Sequence, residues 1–268
     1  MSAEPPPSSV PPGRWRGGSG SRSAVCVLAP NPSPMTLEGT NTWIIGAPDA
    51  PGCVVIDPGP DHPQHLRAIL DEVGQRRIEA VLLTHRHPDH REGAPRLAEI
   101  AGVPVRAHGP GADELQDGDV LEMAGAEIAV LATPGHTSDS LCFLLADEEV
   151  LITGDTILGW GTTMVAWPDG RLGAYLSSLD QISALTGTGR ITRLLPAHGA
   201  VLRDAHASVR YYLEHRSERL EQVRLALRDG AQDAQSVVET VYADVPRELW
   251  PAATMSVQAQ LAYLREGH

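Results

Sequence analysis

The stretch Thr84-His85-Arg86-His87-Pro88-Asp89-His90 decides how this chain is read. Three imidazoles and a carboxylate crowd into it, directly after the apolar run Ala80-Val81-Leu82-Leu83, which has the length and composition of a buried strand. Pro88 disfavours a helix at His87, so His85 and His87 stand in extended backbone and alternation turns both rings to one side. Asp89 and His90 follow the turn and address a second point, and a helix is expected over 91–101. The motif therefore lies where a strand hands over to a helix, at the carboxyl end of the strand, where open α/β layers keep their ligand sites. A polar surface loop accounts for a lone histidine. It accounts poorly for His-x-His-x-Asp-His, because rings this close repel when they protonate, whereas His and Asp are suitable ligands for zinc or iron.

The same arrangement recurs along the chain. The strand expected at 127–132 runs into Thr133-Pro134-Gly135-His136, that at 150–153 into Gly154-Asp155, and that at 193–195 into Pro196-Ala197-His198-Gly199. Four strand ends thus deliver His85, His87, Asp89 and His90, then His136, Asp155 and His198, while His206, His215 and His268 lie scattered elsewhere. Asp57, ending a strand at 54–56, reads either as a turn residue or as support for a ligand. Thr137, Ser138 and Ser140 beside His136 could donate to a substrate oxygen or simply hold their own loop. Arg86, Arg91 and Arg171 are candidate anion contacts. A helix is expected at 62–73, capped by Asp61, with Leu66, Ile69, Leu70 and Val73 as its buried stripe and His62 and His65 solvated. His108 reads as a loop residue.

Length and composition bound the rest. The chain has 268 residues and 42% hydrophobic content, enough for one large domain with a small appendage. Its formal charge of −13 argues against sequence-independent binding of duplex nucleic acid, and no duplex DNA reading is expected. Every basic side chain counted is Arg, so lysine Schiff-base and P-loop lysine chemistry are excluded. Cys26, Cys53 and Cys142 fall in apolar runs and read as buried thiols. No run is long enough to span a membrane and no signal-peptide core is present, so a cytoplasmic location is expected.

The expected organisation is a disordered Pro/Gly/Ser-rich tail at 1–22, a principal domain at 23–204, a connecting helix at 205–230 and a small helical module at 231–268. The ligand set His85, His87, Asp89, His90, His136, Asp155 and His198 resembles that of the metallo-β-lactamase superfamily over residues 24–200. Gly39-Thr40-Asn41-Thr42, the run Gly154-Asp155-Thr156-Ile157-Leu158-Gly159-Trp160-Gly161-Thr162-Thr163, Tyr212-Leu213-Glu214-His215-Arg216, and the tail from Val238 to Leu264 are similar to its β-lactamase-like protein 2 subgroup, with a winged-helix-like end.

That resemblance implies an α/β fold, the αβ/βα four-layer sandwich, with the metals at one edge. It places His85, His87 and His136 on one Zn²⁺ and Asp89, His90 and His198 on a second, with Asp155 bridging and Asp89 catalytic. Iron or manganese are admissible in place of zinc. It implies Asn41 and His215 as further residues near the site. The activity implied is hydrolysis by a metal-bridging hydroxide, first of single-stranded RNA as a phosphodiester. Two alternatives share the scaffold: hydrolysis of thioesters or other acyl groups, on a small molecule as in glyoxalase II or on an acyl carrier, and mononuclear iron dioxygenation. The tail carries few basic residues, chiefly Arg247 and Arg265, and reads as a packing or homodimerising module.

Overall fold

The computed structural model describes residues 10–109 and 113–267. In chain order its strands are β1 (Gly18–Ser19), β2 (Ala24–Leu28), β3 (Asn41–Ile45), β4 (Gly52–Ile56), β5 (Arg77–Leu82), β6 (Val105–Ala107), β7 (Asp113–Glu114), β8 (Val120–Met123), β9 (Ala126–Ala132), β10 (Leu141–Leu145), β11 (Val150–Gly154) and β12 (Arg193–Pro196). The helices are α1 (Pro63–Val73), α2 (Pro88–Arg91), α3 (Ala94–Ala101), α4 (Leu172–Gly187), α5 (Ala205–Arg228), α6 (Ala234–Val241) and α7 (Trp250–Arg265). One sheet has the order β1-β2-β3-β4-β5-β6-β7, the other β12-β11-β10-β9-β8.

Side-chain alternation assigns the layers. On β3, Trp43 and Ile45 point between the sheets and Ile44 points outward; on β4, Val54 and Ile56 point inward and Val55 outward. The inward set meets Ile128, Val130, Phe143 and Ile152 of the second sheet in one central core. Ile44 and Val55 pack beneath α1 and α3 through Leu66, Ile69 and Leu97. On the opposite outer face, Leu144 and Leu151 pack beneath α4 and α5 through Leu179, Ile182 and Val209. Both faces of both sheets are therefore apolar, as layers covered by helices require. Each fully buried Ile or Leu contributes roughly 1.5–3 kcal/mol. The result is an αβ/βα sandwich. A fourth cluster joins Val223 and Ala226 of α5 to Val237 and Val238 of α6 and Val257 and Leu261 of α7, forming the C-terminal module.

Several expectations are corrected. The segment 10–22 is not a disordered tail: β1 pairs with β2, and Trp15 is buried with its indole N–H donating to Asn41 Oδ1 at 2.7 Å. Trp15, the two-residue strand, Val10 against the central core and Gly13 N–H on the Glu38 carboxylate together dock this Pro/Gly-rich segment. Residues 1–9 of that expected tail lie outside the described residues. Asp61 does not cap α1; His62 holds the N-cap position without a side-chain bond and Pro63 opens the helix. His65 is buried, not solvated, and its Nε2 lies 2.8 Å from Thr42 Oγ1. The helix expected over 91–101 is two helices, the first beginning at Pro88 inside the motif, because proline at the first helical position sacrifices no hydrogen bond. In the module, α7 starts at Trp250 and takes Pro251 into its first turn.

Candidate metal centre

The seven His and Asp side chains, drawn from residues 85 to 198, meet at one edge of the sandwich in two adjoining groups. His85, His87, His136 and Asp155 form one; Asp89, His90 and His198 form the other; within each group the ligand atoms lie within 4.8 Å of one another. In the first, His87 Nδ1 is 2.9 Å from His85 Nε2 and 3.1 Å from His136 Nε2. In the second, His198 Nε2 is 3.3 Å from Asp89 Oδ2, and His90 Nε2 is 3.6 Å from the same oxygen. Asp155 stands between them, with Oδ2 3.4 Å from His136 Nε2 and Oδ1 3.3 Å from His198 Nε2.

Local geometry delivers these groups. His87 is extended (φ −61°, ψ 146°) and is the N-cap of α2, so the backbone turns there and His90 falls on the buried side of the short helix. Gly135 (φ +144°) lets the His136 loop touch α4, where an added Cβ would lie 2.5 Å from the Tyr175 backbone nitrogen. Gly154 (φ +51°) is similarly closed against Thr84, 2.7 Å from its Cβ, and aims Asp155 inward.

Behind the ligands lies a row of supports. His136 Nδ1–H donates to Met164 O at 2.7 Å and His198 Nδ1–H to Gly39 O at 3.2 Å. A carbonyl can only accept, so both rings carry the proton on Nδ1 and turn an Nε2 lone pair to the centre. His90 Nδ1 meets Asp57 Oδ2 at 2.9 Å. Asp57 also accepts from Thr84 N at 2.8 Å and Thr84 Oγ1 at 2.6 Å, which fixes the strand end that carries His85. It does so from a left-handed backbone (φ +50°), a conformation that Asp tolerates better than most residues. Asn41 donates through Nδ2 to Pro196 O (2.8 Å) and Gly199 O (2.7 Å), bracketing Ala197 and His198. Trp15 in turn holds Asn41.

The donor set fits a cation. His90 Nε2, His198 Nε2 and Asp155 Oδ1 are buried without a hydrogen-bond partner among the described residues, and they face one another. Lone pairs and a carboxylate oxygen placed in this way need a shared positive charge. Burial opposes protonation of His90, but the carboxylates of Asp155, Asp57 and Asp89 outweigh it and raise its pKa. Burial likewise opposes ionisation of Asp89 and Asp155, yet the neighbouring imidazoles hold both below the usual carboxylate range. His85 is pushed well down by burial and by the other imidazoles, which keeps it neutral, as a ligand must be.

Other expected residues fall elsewhere. Thr137 Oγ1 and Ser140 Oγ bond each other at 2.7 Å and are buried, so they hold the His136 loop and do not face a substrate. Arg171 lies over the Trp167 ring, 5.0 Å from its centroid, and not at the cluster. His215 lines a cleft of about 450 Å³ that reaches His136 and Asp155. The wall of that cleft was not legible beforehand: Tyr242, Val245, Leu249 and Ala252 come from the C-terminal module and face Met35, Leu37 and Trp160. Arg216, also lining it, is buried, donates to Thr163 O and lies under the Tyr175 ring. The one advance signal was the scarcity of basic residues in the tail, which marked it as a packing module without saying against what.

A two-sheet sandwich with helices on both outer faces and a His/Asp cluster at its strand ends defines the class, a metal-site hydrolase scaffold. The chain belongs to the metallo-β-lactamase superfamily, whose family model matches residues 35–126 and 108–198; the β-lactamase-associated winged helix domain matches residues 234–267. Among similar proteins, an atrochrysone carboxyl ACP thioesterase of Aspergillus fumigatus is 36% identical over 247 residues, 89% of this chain and 75% of that protein. A β-lactamase-like protein 2 homologue of Drosophila melanogaster is 31% identical over 273 residues, 91% of this chain and 88% of that protein. A solved β-lactamase domain protein from Burkholderia ambifaria superposes with a TM-score of 0.82 at 20% identity, covering 97% of this chain and 90% of that one, which speaks to the fold alone. No described helix is long and apolar enough to cross a membrane.

Proposed function

We propose that this protein is a thioesterase, hydrolysing the bond between an apolar acyl group and a thiol carrier with two Zn²⁺ at the His/Asp cluster. The observation that carries the reading is the cleft beside His136 and Asp155. Its walls are Met35, Leu37, Leu158, Trp160, Val245 and Leu249, surface suited to an acyl group. The cations that border it are engaged: Arg216 with Thr163 O, and Arg219 with Val241 O and the Tyr242 ring. A phosphodiester chain needs a basic track, which this wall does not offer. The name of the Aspergillus relative supports the same reading over RNA cleavage.

The residues that would hold the metals are His85, His87, His136 and Asp155 on one side and Asp89, His90 and His198 on the other, with Asp155 between. When bound, zinc supplies a water acidified towards neutral pH and polarisation of the thioester carbonyl. Asp89, with 30% of its side chain exposed, is the most open carboxylate of the set. Its Oδ2 faces His198 and His90, which leaves Oδ1 to accept a hydrogen bond from the attacking water and orient it. The water oxygen bonds the acyl carbon, the C–S bond breaks with its electron pair on sulfur, and the thiolate takes up a proton. The products are a carboxylic acid and a free thiol. The cleft wall excludes bulk water from the acyl side and sets which acyl groups fit.

Side-by-side assays on an aromatic acyl thioester and labelled single-stranded RNA test this. Thioester turnover that Asp89→Asn reduces about a hundredfold or more is expected. RNA cleavage with the thioester untouched would replace the reading with the phosphodiesterase one. One iron per chain with dioxygen consumption would replace it with the oxygenase one.

A further inference from the structure

A second cavity reaches the His/Asp cluster, and the acyl cleft does not account for it. Its volume is about 390 Å³, and it opens at His85 rather than at His136 and Asp155. Arg86, Arg91, His108 and Asp139 line it, over apolar surface that includes Leu83 and Val105. The two cavities therefore meet the cluster at different members. A thioester whose carbonyl sits at the cluster has two sides to place, and only its acyl side has been assigned.

The chemistry of this cavity differs from that of the acyl cleft. In a chain of net charge −13 it gathers two guanidiniums and an imidazole. Arg86 Nε pairs with Asp139 Oδ2 at 3.0 Å, while 53% of the Arg86 side chain stays exposed. Arg91 is exposed and pairs with no carboxylate among the described residues, so its charge is uncommitted. Asp139 is 4% exposed, and its second oxygen, Oδ1, is buried with no hydrogen-bond partner among the described residues. A buried carboxylate oxygen of this kind calls for an N–H. His108 Nδ1–H donates to Leu115 O at 2.9 Å, which fixes the ring and leaves Nε2 for a ligand. Apolar surface for methylenes, a buried acceptor for an amide and guanidiniums for an anion together describe one kind of ligand.

We propose that this cavity binds the thiol side of the substrate, an arm of methylenes and secondary amides ending in an anion. Asp139 Oδ1 accepts an amide N–H, and Arg91, helped by Arg86, holds the terminal anion. Phosphopantetheine and glutathione share this chemistry, and the test separates them. The assignment rests on the thioester reading for its biological meaning but not for its measurement.

The test is calorimetric titration of the full-length protein with S-methyl 4′-phosphopantetheine, S-methyl pantetheine and S-methylglutathione, the methyl group keeping sulfur off the metal site. The phosphorylated arm is expected to bind about tenfold more tightly than pantetheine, and Arg91→Glu is expected to bring that ratio to about one. Arg67→Glu, at an exposed arginine of α1, changes the charge by the same two units and is expected to keep the ratio. Tighter, Arg91-dependent binding of S-methylglutathione would support the cavity and name the tripeptide as its arm. Equal binding of the phosphorylated and unphosphorylated arms with no Arg91-dependent glutathione binding would overturn the proposal, as would an Arg67→Glu effect equal to that of Arg91→Glu. Failure of the thioester assay with the Arg91-dependent ratio intact would sink the reaction and spare the site. Turnover with no such ratio would do the reverse.

Discussion

At the strand ends, the ligand imidazoles are gripped from behind: His90 by Asp57, His136 by Met164 O, His198 by Gly39 O, with Thr84 and Asn41 fixing the backbone between them. Across the cleft, the wall supplied by the C-terminal module consists of half-buried apolar side chains such as Val245 and Leu249, carried on the connection between α6 and α7. The first region is polar, buried and determined by several contacts at each residue. The second is apolar and held to the sandwich chiefly through α5 and the small cluster around Val223 and Val257. Hydrogen bonds to a ring nitrogen tolerate little displacement, whereas apolar contact is non-directional. On the thioesterase reading proposed above, the chemistry falls to the closely bonded region and the choice of acyl group to the apolar wall.

The strongest way to break this contrast is to strip the metal. Exhaustive chelation, or His198→Ala, is expected to lower thioester turnover by roughly three orders of magnitude or more, with recovery on adding zinc to the chelated protein only. Retained activity in a preparation shown by elemental analysis to be metal-free would end the account. Next comes Asp57→Asn, which keeps the shape of the support and removes its charge from His90 and Thr84. Metal affinity is expected to fall about 10–100-fold in a competition titration, since groups behind a ligand carry that much.

A third prediction concerns pH. Burial, helped by the charge of His62, pushes the His65 pKa down to about 4 from an ordinary value of about 6.5. His65 contacts Thr42, whose hydroxyl donates to Asp57 O, so it belongs to the closely bonded region. Between pH 6.5 and 4 the unfolded chain binds the proton and the folded chain does not, so stability falls as pH falls through that window. The loss is at most about 3 kcal/mol and is complete near the folded value. Urea titrations of wild type and His65→Gln across this range check it: the variant should show a shallower acid slope. The smallest effect is expected in the other region. Leu249→Ala should raise KM for a large aromatic acyl thioester about three- to tenfold while leaving metal content alone. If it lowers metal content instead, the two regions are not separable.

Which side chains occur at the strand ends was legible because each follows an apolar run within its own segment. Local periodicity places Leu82, Ala132 and Ile152 in strands without reference to anything distant, and His85, His136 and Asp155 follow from them. Asp57 and Asn41 could be named as candidates near the site, but their contacts with His90 and with the backbone around His198 could not. Trp15 was misread because a Pro/Gly-rich stretch has no periodicity to reveal that one indole is docked 26 positions away on Asn41.

The residues alone determined the inventory of the site, its seven imidazole and carboxylate groups, and their delivery at strand ends, since both depend on short-range pattern. Only the packing of two sheets face to face decided that Asp155 stands between two histidine groups. Only the folding-back of α5, α6 and α7 decided that a distant helical module walls the cleft beside His136 and Asp155. Those outcomes depend on where one layer comes to rest against another, a free-energy minimum set by the whole core, and no single segment carries that information.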